Sequence, residues 1–375
     1  MNANASRVAA LSPEYVQRIS PYVPGKPIED LAREYGLAES EIIKLASNEN
    51  PRGPSPKVRA AIAAAAAGVT RYPDGNGFAL RHALASRFGV DADQIVLGNG
   101  SNDILELATQ AFLRPGDHAV YAQHAFAVYP LATQARGARG IEVPARDLGH
   151  DLAAMRAALT PQTRIVFVAN PNNPTGTWLP PPAVEAFVAS VPGEVLVVLD
   201  EAYNEYLQGD QQATSASWVA RHPNLLVSRT FSKAYGLAGL RVGYGIADVA
   251  VADMLNRVRQ PFNVNSIAQA AALAALADPD YVAESARLNR EGLVQLMRGL
   301  DALGVRYAPS HANFLLVRVA GDHAGAAPVY EALLRSGVIV RPVANYGLPD
   351  WLRVTVGLPE ENARFLTALG ATLRR

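Results

Sequence analysis

The chain contains no cysteine. Disulfides, thiolate metal ligands and cysteine nucleophiles are therefore excluded, and nothing points to an oxidising compartment. Net charge is missing too, because 34 basic residues balance 34 acidic ones. No Lys/Arg run of the kind that follows nucleic-acid phosphates occurs. No segment approaches the roughly 20 consecutive apolar residues of a membrane span. The opening MNANASRVAALSPEY lacks a basic stretch leading into an apolar one. Neither nucleic acid nor membrane is an expected partner, no metal site is expected, and a cytoplasmic location is. Lysine itself is scarce: Lys26, Lys44, Lys57 and Lys233 are the only four. Chemistry that needs a primary amine thus has few candidates. Two phosphate-binding fingerprints are absent as well, the P-loop Gly-Lys-Ser/Thr and the dinucleotide Gly-x-Gly-x-x-Gly.

What is present is apolar bulk. Hydrophobic residues make up 49% of the 375, charged residues 18%, and mean hydropathy is +0.04. Such a chain can bury a large core in more than one lobe. From about residue 55, helical patterns alternate with short apolar runs bounded by Gly, Pro, Asn or Asp, the rhythm of an α/β fold with a mostly parallel sheet flanked by helices. Strands are expected at QIVLGNG, HAVYA, RIVFVAN, EVLVVLD, NLLVS and RVGYGIA. PSPKVRAAIAAAAAG and SNDILELATQAFL read as helices, the second with Ser101 as its cap. Beyond about residue 278 the pattern becomes a long helix, then ANFLLVRV, a helix, GVIVRP, WLRVTVG and a closing helix. The expected domains are an N-terminal arm and small-domain segment over 1–45, a large domain over 46–278, and a small α+β C-terminal domain over 279–375.

In open parallel sheets, ligands bind outside the carboxyl ends of the strands, so the loops there are where chemistry is sought. Lys233, in SRTFSKAYGL, follows the strand NLLVS. A lysine amine becomes a useful nucleophile toward an aldehyde when its pKa is lowered in a partly buried site. Thr230, Ser232 and Arg241 stand close enough in sequence to bind a phosphate. Asp200 ends the apolar run EVLVVLD, where an unpartnered carboxylate is costly and a protonated ring nitrogen is a suitable partner. Tyr203 and, in the tight turn ANPNNPTGT, Asn173 are placed to contact a ring oxygen. GNGSND sets small residues at a strand-to-helix junction, whose backbone N–H groups can cradle an anion.

GNGSND, PNNPTG, VLDEAY, SRTFSK and GLRVGY stand in the order and spacing of the fold-type I pyridoxal-phosphate aminotransferases, which the chain resembles over nearly its whole length. The resemblance implies pyridoxal 5'-phosphate as cofactor and Lys233 as the lysine that binds it as a Schiff base. It puts Asp200 on the pyridine nitrogen and Tyr203 and Asn173 on the ring hydroxyl. Ser101, Asn102, Thr230, Ser232 and Arg241 surround the phosphate, and Phe126 in HAFAVY stacks on the ring. SPYVPGKP, LASNENP, TRYPDG, HANFLLVR and IVRPVANYGLPDWLRVTVG further resemble the histidinol-phosphate aminotransferase family. That likeness implies a homodimer in which Tyr72 reaches across the interface to the neighbouring phosphate. It also implies that Arg341 and Arg353 hold the substrate's anion under Tyr22 of a closing arm. Two departures stand out: the phosphate segment reads GSND where relatives often carry Ala or an acidic residue, and Phe126 replaces a Tyr. An aromatic-amino-acid aminotransferase of the same subgroup remains an alternative, followed by a phospho-amino-acid decarboxylase.

Overall fold

The computed structural model describes residues 8–212, 214–320 and 325–374. The part of the arm before residue 8 lies outside them. Among the described residues the central element is a seven-stranded sheet. Its spatial order is Ile95–Gly98, Gly243–Ala247, Leu225–Thr230, Leu196–Asp200, Thr163–Ala169, His118–Ala122 and Arg139–Val143. Gly243–Ala247 runs antiparallel to both its neighbours; the other pairings are parallel.

The strands read as unbroken apolar runs because both faces of the sheet are covered. Successive side chains point to opposite faces. Val166 and Val168 join Val197 and Leu199 in one buried cluster, whereas Ile165, Phe167 and Ala169 join Leu196 and Val198 in another. Helix Pro56–Ala66 starts as its sequence dictates, with Ser55 Oγ accepting from the Val58 N–H and Pro56 in the first turn.

The edge strand Arg139–Val143 escapes sequence reading. Four of its five residues, RGIEV, are exposed or half-buried, so no apolar run marks it. Its parallel pairing to His118–Ala122 is what makes it a strand. The helix cap also differs from expectation: Gly100 occupies the N-cap at φ 83°, and Ser101 is the first helical residue. A side chain at position 100 would displace the Arg241 guanidinium, with an added Cβ 2.2 Å from Nη2. The positive φ is what favours glycine there.

A second core lies under a four-stranded antiparallel sheet ordered Arg341–Pro342, Trp351–Thr355, Phe314–Arg318 and Tyr307–Ala308. Leu296 and Leu300 of the helix Pro279–Ala302 pack against it, as do Phe365 and Leu369 of Pro359–Leu373. The chain near residue 43 belongs to this layer, since Ile43–Lys44 pairs in parallel with Val338–Ile339. No described helix is long and apolar enough to cross a membrane.

Candidate active site

Register brings the loops together. Gly243 lies opposite both Gly98 and Thr230, so the ends of Ile95–Gly98 and Leu225–Thr230 meet at one edge of the sheet. Asp200 pairs with Ala169 on one side and Ser228 on the other, which puts it and the Asn170–Asn173 turn at that same edge. Gly243 is needed for this closeness, because a Cβ there would sit 2.4 Å from the Ser101 backbone nitrogen.

A cavity of about 360 Å³ opens at that edge and is walled on its far side by the small sheet. Lys233, Asp200, Tyr203, Asn173, Thr230, Ser232, Ser101, Asn102, Arg241, Phe126, Tyr22, Arg341 and Arg353 all line it. Tyr72 does not. Its ring is 82% exposed and stacks on Phe262 with centroids 4.8 Å apart.

The Lys233 side chain opens onto the cavity but is enclosed by protein elsewhere, and Nζ donates to the Ser47 carbonyl at 3.2 Å. Desolvation first, then the Arg353 and Arg241 charges, lower its pKa to about 8, against opposing pulls from Glu49 and Asp200. Asp200 is buried. Its Oδ2 accepts from the Tyr129 hydroxyl at 2.8 Å and Oδ1 from the Ala202 N–H at 3.3 Å. Burial outweighs both bonds and pushes the carboxyl up to about 6. A cation placed against it would reverse that penalty.

At the other end of the cavity Thr230 Oγ1 donates to Ser232 Oγ at 2.9 Å, and Arg241 Nη1 donates to Ser232 Oγ at 3.4 Å and to the Ala238 carbonyl at 3.0 Å. With the first N–H groups of helix Ser101–Phe112 these form a cluster of donors suited to a dianion. The two remaining arginines approach from the small sheet. Arg353 Nη1 donates to Asn173 Oδ1 at 2.5 Å and Nη2 to the Ala46 carbonyl at 2.6 Å, while its Nε has no partner among the described residues. Burial lowers its pKa. Arg341 donates to the Val23 carbonyl at 2.6 Å and stands over the Tyr22 ring at 5.4 Å. Tyr22 itself is 47% exposed on the arm.

Phe126 sits in the turn before helix Val128–Ala135, edge-on to Tyr129 at 5.9 Å. The sequence alone does not single out Tyr129, three residues beyond it, which is stacked on Phe167 at 4.6 Å and holds Asp200. Nor does it single out Asn48, within the quoted LASNENP, whose amide donates to the Tyr203 hydroxyl at 2.8 Å. Only the apolar neighbours of one and the Asn-Glu-Asn-Pro turn of the other marked them.

The family model for aminotransferase class I and II matches residues 40–369. Histidinol-phosphate aminotransferase 2 of Pseudomonas aeruginosa is 64% identical over 364 residues, 97% of this chain and 98% of that protein. The histidinol-phosphate aminotransferase of Methylobacillus flagellatus is 60% identical over 369 residues, 98% and 99% of the two chains. Among solved structures, histidinol-phosphate aminotransferase from Sinorhizobium meliloti in complex with pyridoxal-5'-phosphate superposes with a TM-score of 0.89 at 31% identity, covering 96% of this chain and 97% of that one. With this fold, a lysine and an aspartate at adjoining strand ends and a donor cluster beside them, the chain belongs to the class I and II aminotransferases.

Proposed function

We propose that the chain transfers the amino group of L-histidinol phosphate to 2-oxoglutarate, giving imidazole acetol phosphate and glutamate, in the cytoplasm and with pyridoxal 5'-phosphate as cofactor. The supporting observation is one cavity in which Lys233 faces two buried guanidinium groups, Arg341 and Arg353. An amine and an anion anchor so placed suit substrates that share a negative group and differ in the rest.

The residues fit pyridoxal phosphate. Asp200 is a buried carboxylate held above its ordinary pKa, and a protonated ring nitrogen supplies the missing positive charge. The donor cluster of Ser101, Asn102, Thr230, Ser232 and Arg241 would receive the phosphate. Asn173 and Tyr203 would contact the ring hydroxyl, and Phe126 would cover the ring face. When bound, the cofactor supplies an electron sink for charge developing at the substrate's α-carbon.

Lys233 would hold the cofactor. Its Nζ would then be the group that takes up and returns the proton at the substrate's α-carbon. A pKa lowered to about 8 leaves a useful share of the amine neutral near physiological pH. Arg353 and Arg341 orient the anionic end of either substrate, with Tyr22 closing over it. Residues 46–278, as the large domain, supply the cofactor contacts; 279–375, as the small domain, supply the anion contacts; and 1–45 include the covering arm.

Exposed Asn102 and Arg241 at one end of the cavity and the exposed Tyr72–Phe262 pair support a homodimer in which Tyr72 completes the neighbour's phosphate site. Steady-state kinetics test the substrate assignment: kcat/KM for histidinol phosphate with 2-oxoglutarate exceeds that for phenylalanine. The reverse order would replace it with the aromatic-amino-acid reading.

A further inference from the structure

The segment Ala46–Asn48 is a hub between the two sheets. Ala46 and Ser47 give their carbonyls to Arg353 and Lys233, and Asn48 engages Tyr203. Asn48 holds φ 55°, a left-handed conformation that Asn and Gly tolerate better than other residues. Its contacts have a direction. The Asn48 backbone N–H donates to Thr355 Oγ1 at 3.0 Å, so that hydroxyl already serves as acceptor. Its proton goes to Asn48 Oδ1 at 3.2 Å. With Oδ1 accepting, Nδ2 is the atom turned toward the Tyr203 oxygen at 2.8 Å. The Tyr203 oxygen is then an acceptor on its Asn48 side, and its own hydrogen is left to point into the cavity it lines. The Asn313 side chain holds the Asn48 carbonyl at 3.0 Å and keeps the turn in place.

We propose that Asn48 and Thr355 are positioning residues that aim the Tyr203 hydroxyl proton at the ring oxygen of the cofactor and strengthen it as a donor. A chain of hydrogen bonds running one way polarises each member in the same sense. A stronger donor at the ring oxygen stabilises its anionic form and so disfavours protonation of the lysine–cofactor linkage. Thr355 lies two residues from Arg353 on the same strand, which ties this relay to the element that grips the substrate anion. The inference rests on the proposed contact between Tyr203 and the cofactor.

The test reads the pH midpoint of the visible absorption band of the pyridoxal-phosphate-loaded enzyme, without turnover. Asn48→Gly keeps the left-handed backbone and removes the relay; it raises the midpoint by roughly half a pH unit, the size of one modest hydrogen bond. Thr355→Val raises it in the same direction, and Thr355→Ser, which keeps the hydroxyl, restores it. The charged groups bearing on Lys233, namely Arg353, Arg241, Asp200 and Glu49, are unchanged in all three variants. Tyr203→Phe raises the midpoint too, and adding Asn48→Gly to it gives no further shift. If Tyr203→Phe shifts the midpoint while Asn48→Gly lowers only the melting temperature, or if the two shifts add, the relay is refuted. If Tyr203→Phe itself leaves the midpoint in place, the contact between Tyr203 and the cofactor is what fails.

Discussion

Replacing Asp200 with Asn should make the cofactor-free protein more stable while removing its activity. In the fold Asp200 is buried at a strand end, and its carboxyl rises from 3.8 to about 6 because burial outweighs the bonds from Tyr129 and Ala202. At about 1.4 kcal/mol per pKa unit, holding it ionised costs about 3 kcal/mol at neutral pH. Asn keeps one acceptor oxygen and forfeits one hydrogen bond worth about 1 kcal/mol. The net gain is on the order of 2 kcal/mol. The sign follows from the raised pKa of an acid: the penalty is absent below 3.8, grows as pH rises, and is complete above about 6. Calorimetry of the apo-protein should therefore show Asp200→Asn melting a few degrees higher at about pH 8, the difference shrinking toward about pH 5. With cofactor bound the order reverses, because the variant loses a charged partner for the ring nitrogen. An apo variant less stable than the parent at pH 8, or a difference indifferent to pH, would refute the reasoning.

Other outcomes follow from single contacts. Arg353→Lys keeps the charge but loses the planar fork that reaches Asn173 and Ala46, so kcat/KM for histidinol phosphate falls by roughly 100-fold in steady-state assays. Gly243→Ala drives a Cβ to within 2.4 Å of the Ser101 backbone nitrogen, so both the apo melting temperature and the cofactor content of the purified protein drop. Buried His150 accepts the Ala169 N–H at 3.0 Å, and burial lowers its pKa from 6.5 to about 4. Its folded pKa lies below the unfolded one, so its contribution is complete above 6.5 and is lost as pH falls toward about 4. His150→Gln, which does not titrate, flattens apo stability against pH over that window; an unchanged slope counts against the assignment.

Much of this site is legible in the sequence because its parts are local. Asp200 closes an apolar strand and Lys233 follows one, so each announces a charged group at a sheet edge. Scarcity helped with Lys233, one of four lysines. What hides from sequence is what tertiary contact creates. Tyr129 looks like any core aromatic until the fold brings its hydroxyl to Asp200, 71 residues away. Asn48 meets Tyr203 across 155 residues and Thr355 across 307. The strand Arg139–Val143 sits on the sheet's exposed edge, where apolar patterning is not required. Gly100 rather than Ser101 caps its helix, at a positive φ that the sequence does not announce.

Of the four lysines, Lys233 alone is proposed to bind the cofactor covalently. Borohydride reduction of the yellow holoenzyme, followed by proteolysis and mass mapping, tests it directly. The expected result is the phosphopyridoxyl mass on the peptide containing Lys233, with Lys26, Lys44 and Lys57 unmodified, and no fixed label in Lys233→Ala. Label on another lysine, or a Lys233→Ala variant that still fixes the cofactor and turns over like the parent, would contradict it.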